Sequence, residues 1–435
     1  MRTPGDGMTS PRLIAIAALL ALGTPAAAQE SGLEPHLAGL SSPSGRTRVR
    51  ALQALARAGR PEAAAPVAAL LTDGDDRVRG TAIETLLALY TVRAPLAERQ
   101  WGPGSPDRPT TLPEQAFEAG PLATLPAPVP EVVLTGLSAA ARQDQAVKVR
   151  LAAAYALGTL GAGAMGPMPD RTATAVAAEL AAALQHPDRP TRQVVARVAG
   201  RVFAPPGRQV PAVLGDALIA SMNDGDPLVR RWAMDSLGWL RYDRAVQSLT
   251  ERASYYGKGE EAAAAYHALA RIAAASSAPL FRALLASRVP TFRVIAVEGL
   301  GRIGDRSAYA AITDSAMDAN HANVTLAAHL AAFLLAQTDD VTPLAAALRS
   351  EDTQVQGRVY LAEVAGRQPS ALHPLLQSPD AWVRRGTAEL LGTSRRPSDE
   401  AVLQPLLADP SPQVVEAASE AIRRLRAWAA VAPPS

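Results

Sequence analysis

The stretch Ser287–Ala336, SRVPTFRVIAVEGLGRIGDRSAYAAITDSAMDANHANVTLAAHLAAFLLA, decides the fold. Val294, Val297 and Leu300 lie on one face of a helix whose pattern stops at Gly301 and Gly304. A second helical pattern runs from about Ser307 to Met317, and a break at Asp318–Asn323 leads into a third. The unit is a helix, a turn and a helix, entered through an elbow of the form D-x-x-x-V-R. It recurs through most of the chain at steps of roughly thirty residues, which is the sequence signature of a solenoid.

The elbows stand in plain view. They read DRVR at Asp76–Arg79, VKVR at Val147–Arg150, DPLVR at Asp226–Arg230 and PTFRV at Pro290–Val294. Further copies are NHANV at Asn320–Val324, DTQV at Asp352–Val355, DAWVR at Asp380–Arg384 and DPSPQVV at Asp409–Val415, with a degenerate one at His186–Val195. From Arg230 the steps to Arg293, Gln356 and Arg384 are 63, 63 and 28 residues, or two repeats, two repeats and one. Asp or Asn before a helix accepts from orphan backbone N–H groups, and Pro227 and Pro412 stand where no N–H is needed. Val229, Ala233 and Leu237 share a face; Gly238, Gly301 and Gly392 end such runs, where glycine takes positive φ at little cost.

These elbows resemble the HEAT repeats, in the short bacterial form that phycobilin lyases also carry, from about Leu33 to Ala430. The resemblance implies an all-α fold, a right-handed superhelix (α-solenoid) of about ten to twelve hairpins. It also implies that elbow aspartates and V-R arginines pair, often between neighbours, with Asp76/Arg79, Asp226/Arg230 and Asp380/Arg384 as candidates.

Composition agrees with one elongated domain. The chain has 435 residues, 48% of them apolar and only 4% aromatic, so its core is mainly alanine, leucine and valine. A solenoid of this length need not split into domains, because each repeat packs only on its neighbours. The net charge of +2, carried by 41 Arg and 2 Lys, is too balanced for a nucleic-acid binder. There is no cysteine, so disulfides and thiol chemistry are excluded.

The chain divides as follows. Residues 1–28 read as a secretory signal peptide: Arg12, an apolar run Leu13–Leu22, a break at Gly23–Pro25, then Ala26–Ala28 before cleavage at Gln29. The run is too short to span a membrane, so an exported protein, periplasmic or secreted, without an integral membrane segment is expected. Residues 29–93 hold N-terminal repeats, 94–130 a Pro/Gly-rich insert, 131–209 irregular repeats, 210–430 regular repeats and 431–435 a tail. The insert has nine prolines, a composition that cannot sustain a helix; Trp101 and Phe117 either latch it to the solenoid or face a partner.

Signatures of catalysis are missing from the chain. G-x-S-x-G, G-x-x-x-x-G-K and H-E-x-x-H are absent. His321 and His329 are the only close histidine pair, and an elbow at Asn320–Asn323 puts them off a shared helix face. Asp73, Asp75 and Asp76 lack the spacing of a calcium loop. No catalytic, cofactor-binding or metal residue is therefore assigned, and no cofactor is expected. Between Trp232 and Tyr266 lie six of the eighteen aromatics. With the non-core positions of the neighbouring helix they form the candidate protein-binding set: Trp101, Arg231, Asp235, Trp239, Tyr242, Tyr255 and Tyr256. The reading is a monomeric, non-enzymatic scaffold or adaptor that binds an unidentified protein or peptide, and no nucleic acid, on the concave face of the solenoid. The alternatives are a lyase-like enzyme or enzyme subunit with its site where the insert meets the repeats, and a structural spacer.

Overall fold

In the computed structural model, the described residues are 33–91, 112–120, 124–125, 127–163, 168–204, 209–319 and 321–431. Among them, the architecture is helical throughout; an isolated bridge between Thr91 and Thr124 is the sole β pairing. The long second helices of the hairpins, with one helix from the insert, run in chain order. They are α1 (Gly45–Ala58), α2 (Asp76–Tyr90), the insert helix α3 (Leu112–Ala119), α4 (Val147–Gly163), α5 (Arg189–Val202) and α6 (Pro227–Trp239). Next come α7 (Glu260–Ile272), α8 (Pro290–Ile303), α9 (Ala322–Leu334), α10 (Gln354–Arg367), α11 (Ala381–Leu391) and α12 (Pro412–Val431). Each second helix is preceded by a first helix, shorter in every hairpin but that of α5 and often with a 3₁₀ turn, giving eleven hairpins among the described residues. From α1 to α8 the second helices pack on one another in succession, with α2 directly against α4, while first helices meet more sparsely in the later repeats. The second helices thus form the more closely packed layer, called the inner layer below.

The elbows explain how successive helices are set. Asp75, Asp188, Asp226 and Asp380 are N-caps whose carboxylates accept from backbone N–H groups of the first turn. The arginine four residues after the cap does not pair with the aspartate of its own elbow. Asp226 is taken up with the N–H groups of Leu228 and Val229, and Asp380 with that of Trp382 and with Arg349 at 2.5 Å. Asp76 instead meets Lys148 at 3.0 Å. Each arginine donates back to a carbonyl six residues earlier, as Arg79 does to Asp73, Arg230 to Asp224 and Arg384 to Ser378, all at 2.8 Å. Its other nitrogens reach the next repeat: Arg79–Asp144 at 2.6 Å, Arg192–Asp224 at 2.7 Å, Arg230–Glu261 at 2.5 Å and Arg384–Asp409 at 2.7 Å. The pairs thus run between neighbours and not within Asp76/Arg79, Asp226/Arg230 or Asp380/Arg384.

Two further expectations need correction. Gly238 and Gly301 lie inside α6 and α8, and Gly392 caps α11 with φ −60°, so none takes positive φ. What they permit is close approach: a Cβ would stand 2.9 Å from the Ala268 Cα at Gly238, 3.0 Å from that of Ala331 at Gly301 and 2.8 Å from that of Ala421 at Gly392. Positive φ falls instead at Gly304, the residue after α8. The arginine position of α10 is also Gly357, not Gln356, because Thr353 is the N-cap there.

The insert departs from expectation as well. Its residues 112–119 form a helix, since Pro113 occupies the first turn, where a missing N–H costs nothing, and no further proline follows until Pro121. Trp101 and the leader region 1–28 lie outside the described residues. Phe117 is buried and latches the insert to the solenoid.

Candidate functional site: the inner face

On α6, Arg231, Asp235 and Trp239 follow one another at four-residue steps and so share a stripe. Val229, Ala233 and Leu237, two positions earlier in each turn, are buried on the opposite side. The stripe therefore faces outward from the inner layer. Asp235 pairs with Arg271 of α7 and accepts from the Trp239 indole at 3.2 Å, while the Arg271 guanidinium lies 4.4 Å from the Trp239 ring centre. Arg231 pairs with Glu260 at the start of α7. Trp239 stays 42% exposed, a large aromatic held in one orientation by an acid and a cation.

The same chemistry continues in both directions. Toward the N-terminus, Arg197 of α5 sits 4.8 Å from the Trp232 ring and donates to the Tyr155 hydroxyl of α4 at 3.3 Å. It also meets Glu118 and, at 3.8 Å, Glu114, both on α3. Toward the C-terminus, Arg302 of α8 pairs with Glu298 at 2.9 Å and with Glu363 of α10 at 2.9 Å. The Tyr360 hydroxyl donates to Glu298 at 2.5 Å and the Gln356 amide at 3.1 Å. Glu298 is only 3% exposed and Tyr360 is fully buried, so this is a closed network.

Electrostatics follow from that geometry. Burial alone raises the Glu363 carboxyl, but the Arg302 guanidinium outweighs it and holds the group below the usual range. Burial works against the Arg302 charge too, yet Glu298 and Glu363 keep it firmly protonated. Tyr360 is raised, by burial first and then by the Glu298 carboxylate. Burial pushes His267 of α7 down, opposed by Glu298, so its imidazole is neutral near pH 7.

The structure separates the rest of the aromatic set. Tyr242 lies in the turn after α6, its hydroxyl donating to Asp216 at 2.9 Å and its ring covering Gly215. Tyr255 and Tyr256 end the first helix of the next hairpin, edge to face at 5.1 Å; Tyr255 is 80% exposed, and Tyr256 lies beside Arg230 on the elbow side. Tyr266 is core, stacked edge-on to Phe292 at 5.2 Å. So Arg231, Asp235 and Trp239 come together, whereas Tyr242, Tyr255 and Tyr256 belong to other edges of the stack. The sequence reading missed Tyr155, Arg197, Glu298, Arg302, Tyr360 and Glu363. One signal was available: Glu298 and Arg302 stand four apart on a helix that is mostly apolar.

A separate open cleft of about 670 Å³ lies between the α9 and α10 hairpins, lined among others by Met317, His321, Thr325, His329 and Thr353. His321 is the N-cap of α9, as the elbow reading required, yet both histidines reach this cleft. Burial pushes His329 down, opposed by Asp340. Among the described residues, no group of three or more His, Asp or Glu side chains is placed to hold a metal ion, and no helix is long and apolar enough to cross a membrane.

A family model described as HEAT repeats matches residues 33–98 and 177–255. No curated protein matches the chain. Among solved structures, the chain is similar to importin beta, at 13% identity and TM-score 0.49, over 91% of this chain and 60% of that one. It is similar to the complex of CpcE and CpcF of phycocyanin lyase from Nostoc sp. PCC7120, at 21% identity and TM-score 0.35, over 57% and 94% of the two chains. An engineered protein aligns at 19% identity and TM-score 0.39, over 91% and 99%. Residues 33–98 and 177–255 thus match HEAT repeats within an all-α, helix-hairpin solenoid.

Proposed function

We propose that the chain is a non-enzymatic scaffold that binds a protein or peptide along its inner face and acts outside the cytoplasm. The observation that carries the binding reading is Trp239, exposed but fixed between Asp235 and Arg271. Aromatic and arginine side chains are the usual anchors of protein interfaces, and side chains already held in place lose little entropy on binding. A lyase-like enzyme calls instead for a pocket joining polar groups of three repeats at the insert. The α9–α10 cleft joins two hairpins and lies far along the chain from that insert. Extracytoplasmic action rests on Arg12, Leu13–Leu22 and Ala26–Ala28.

A photo-crosslinking residue placed at Trp239 tests the binding reading against one at Val213, an exposed position on a first helix. Crosslinks to a common partner are expected from position 239 alone. Equal capture from both, or capture from position 213 only, removes the inner face as the binding surface. Export is tested by fractionation and N-terminal sequencing: mature protein is expected to start at Gln29, and a cytoplasmic product retaining Met1 or Met8 contradicts it.

A further inference from the structure

The insert helix α3 is not needed to continue the stack, because α2 already packs on α4. It packs against α4 and α2 instead, with side chains reaching α5, as a guest on a host. The guest groups are Glu114, Phe117 and Glu118, all on the insert. The host groups are Tyr155 and Gly158 of α4 with Arg197 and Arg201 of α5, all on repeats. Phe117 fills the space over Gly158, where a Cβ would stand 2.8 Å from its ring. The Arg201 guanidinium lies 3.9 Å from the Phe117 ring centre and donates to the Phe117 carbonyl at 2.5 Å. Phe117 also packs on Tyr155, with ring centres 5.6 Å apart. The two carboxylates, one helical turn apart, converge on Arg197, and the Tyr155 hydroxyl donates to Glu114 at 3.2 Å.

We propose that the groove across α4 and α5 is a docking site for an amphipathic helix carrying the pattern acid-x-x-aromatic-acid, and that α3 is its resident occupant in this chain. The assignment rests on the scaffold reading and names the partner's chemistry: a helical segment with two carboxylates one turn apart and an aromatic beside the second. Arg197 takes both acids, Arg201 takes the ring face and its carbonyl, and the glycine-floored hollow takes the ring. Being tethered in cis, α3 holds the site at high effective concentration, so a partner's helix binds by displacing it.

The probe is a fluorescent peptide copying residues 110–121. It is titrated by anisotropy against the full chain and against the Phe117→Ala/Glu118→Ala variant, whose resident helix is weakened. Binding to the variant is expected to be at least tenfold tighter than to the parent. Adding Arg197→Glu to the variant is expected to weaken binding at least tenfold, and a peptide with Glu118→Lys to recover it. No binding by the folded variant, or binding indifferent to Arg197→Glu, overturns the site. Hydrogen exchange on the unmodified chain gives an answer even where the variant does not fold. Amides of α3 are expected to exchange at least tenfold faster than those of α4 and α5. Exchange in step with those helices makes α3 an integral part of the core and overturns the site. Either failure leaves crosslinking at Trp239 untouched, so the loss of this site and the loss of the scaffold reading are separable.

Discussion

The elbow edge and the inner face are built from the same materials, arginine and carboxylate, and use them differently. At the elbows each arginine is saturated: one nitrogen holds a carbonyl of its own turn and the others hold an acid of the next repeat. The product is register between hairpins. On the inner face the pairs include an aromatic ring and leave it open, as with Asp235, Arg271 and Trp239. The ladder of arginines fails where the second helices carry Ala263, Thr325 or Gly357 at the arginine position. Across that gap the inner face takes over the structural role, through the Glu298–Arg302–Glu363 network that ties α8 to α10. Charge pairing along one edge is therefore a repeat property, whereas pairing on the inner face is a property of place.

That contrast is breakable by mutation, and the largest effect is expected in the network. Arg302→Ala leaves Glu298 and Glu363 without their shared cation in a buried setting and is expected to cost about 3–5 kcal/mol in chemical denaturation. A loss as small as that of an exposed arginine would show the network to be incidental. Next comes the close approach of neighbouring helices: Gly238→Ala drives a Cβ to 2.9 Å from the Ala268 backbone, and a loss of about 1–3 kcal/mol is expected. A neutral result would mean that the helices part freely. At the elbows, Arg230→Ala is expected to cost about 1.5–3 kcal/mol, against a change within about 0.5 kcal/mol for Arg306→Ala, which is exposed. Equal losses would remove the ladder from the account.

The smallest effect is spread over pH. The Arg384 guanidinium holds the Asp409 carboxyl low, and at Asp73 and Asp224 the pull of Arg48 and Arg192 outweighs the opposing effect of burial. As pH falls, the unfolded chain takes up these protons before the folded one does. Stability from the ladder is thus complete above the unfolded carboxyl pKa of about 4 and is lost as pH drops through the lower folded values. Arg384→Ala should flatten that acid limb in a denaturation series between pH 6 and pH 2.5; an unchanged slope would mean that the pair contributes nothing.

How much of this was legible follows from range. The elbows were readable because cap, first turn and arginine lie within a few residues, and the resemblance supplied pairing between neighbours. The register of α10 slipped by one because Thr353, not Asp352, caps the helix there. The glycines were misread as positions of positive φ. Their backbone angles are ordinary, and their reason for being small lies on the next helix, thirty residues away at Gly238 and Ala268. The inner face was mostly unreadable. Tyr360 and Glu298 are 62 residues apart, and no local spacing announces their bond. The aromatic cluster looked like one surface because it is dense in sequence, but a hairpin sends successive turns to opposite edges. That is why Tyr242 and Tyr255 part from Trp239. In the insert, the prolines on either side concealed the short run that forms α3, with Pro113 in its first turn and no proline after it until Pro121.

In the proposed scaffold the inner face binds while the elbows hold the stack together. Partner affinity and unfolding measured side by side on Trp239→Ala and Arg230→Ala test it most directly. Trp239→Ala is expected to leave the unfolding midpoint nearly unchanged and to weaken the crosslinked partner by about 2 kcal/mol or more, as an interface anchor does. Arg230→Ala is expected to lower the midpoint and leave the affinity of the folded protein intact. The reverse pattern, with Trp239→Ala unfolding the middle repeats or Arg230→Ala losing the partner in a fully folded chain, would contradict the account.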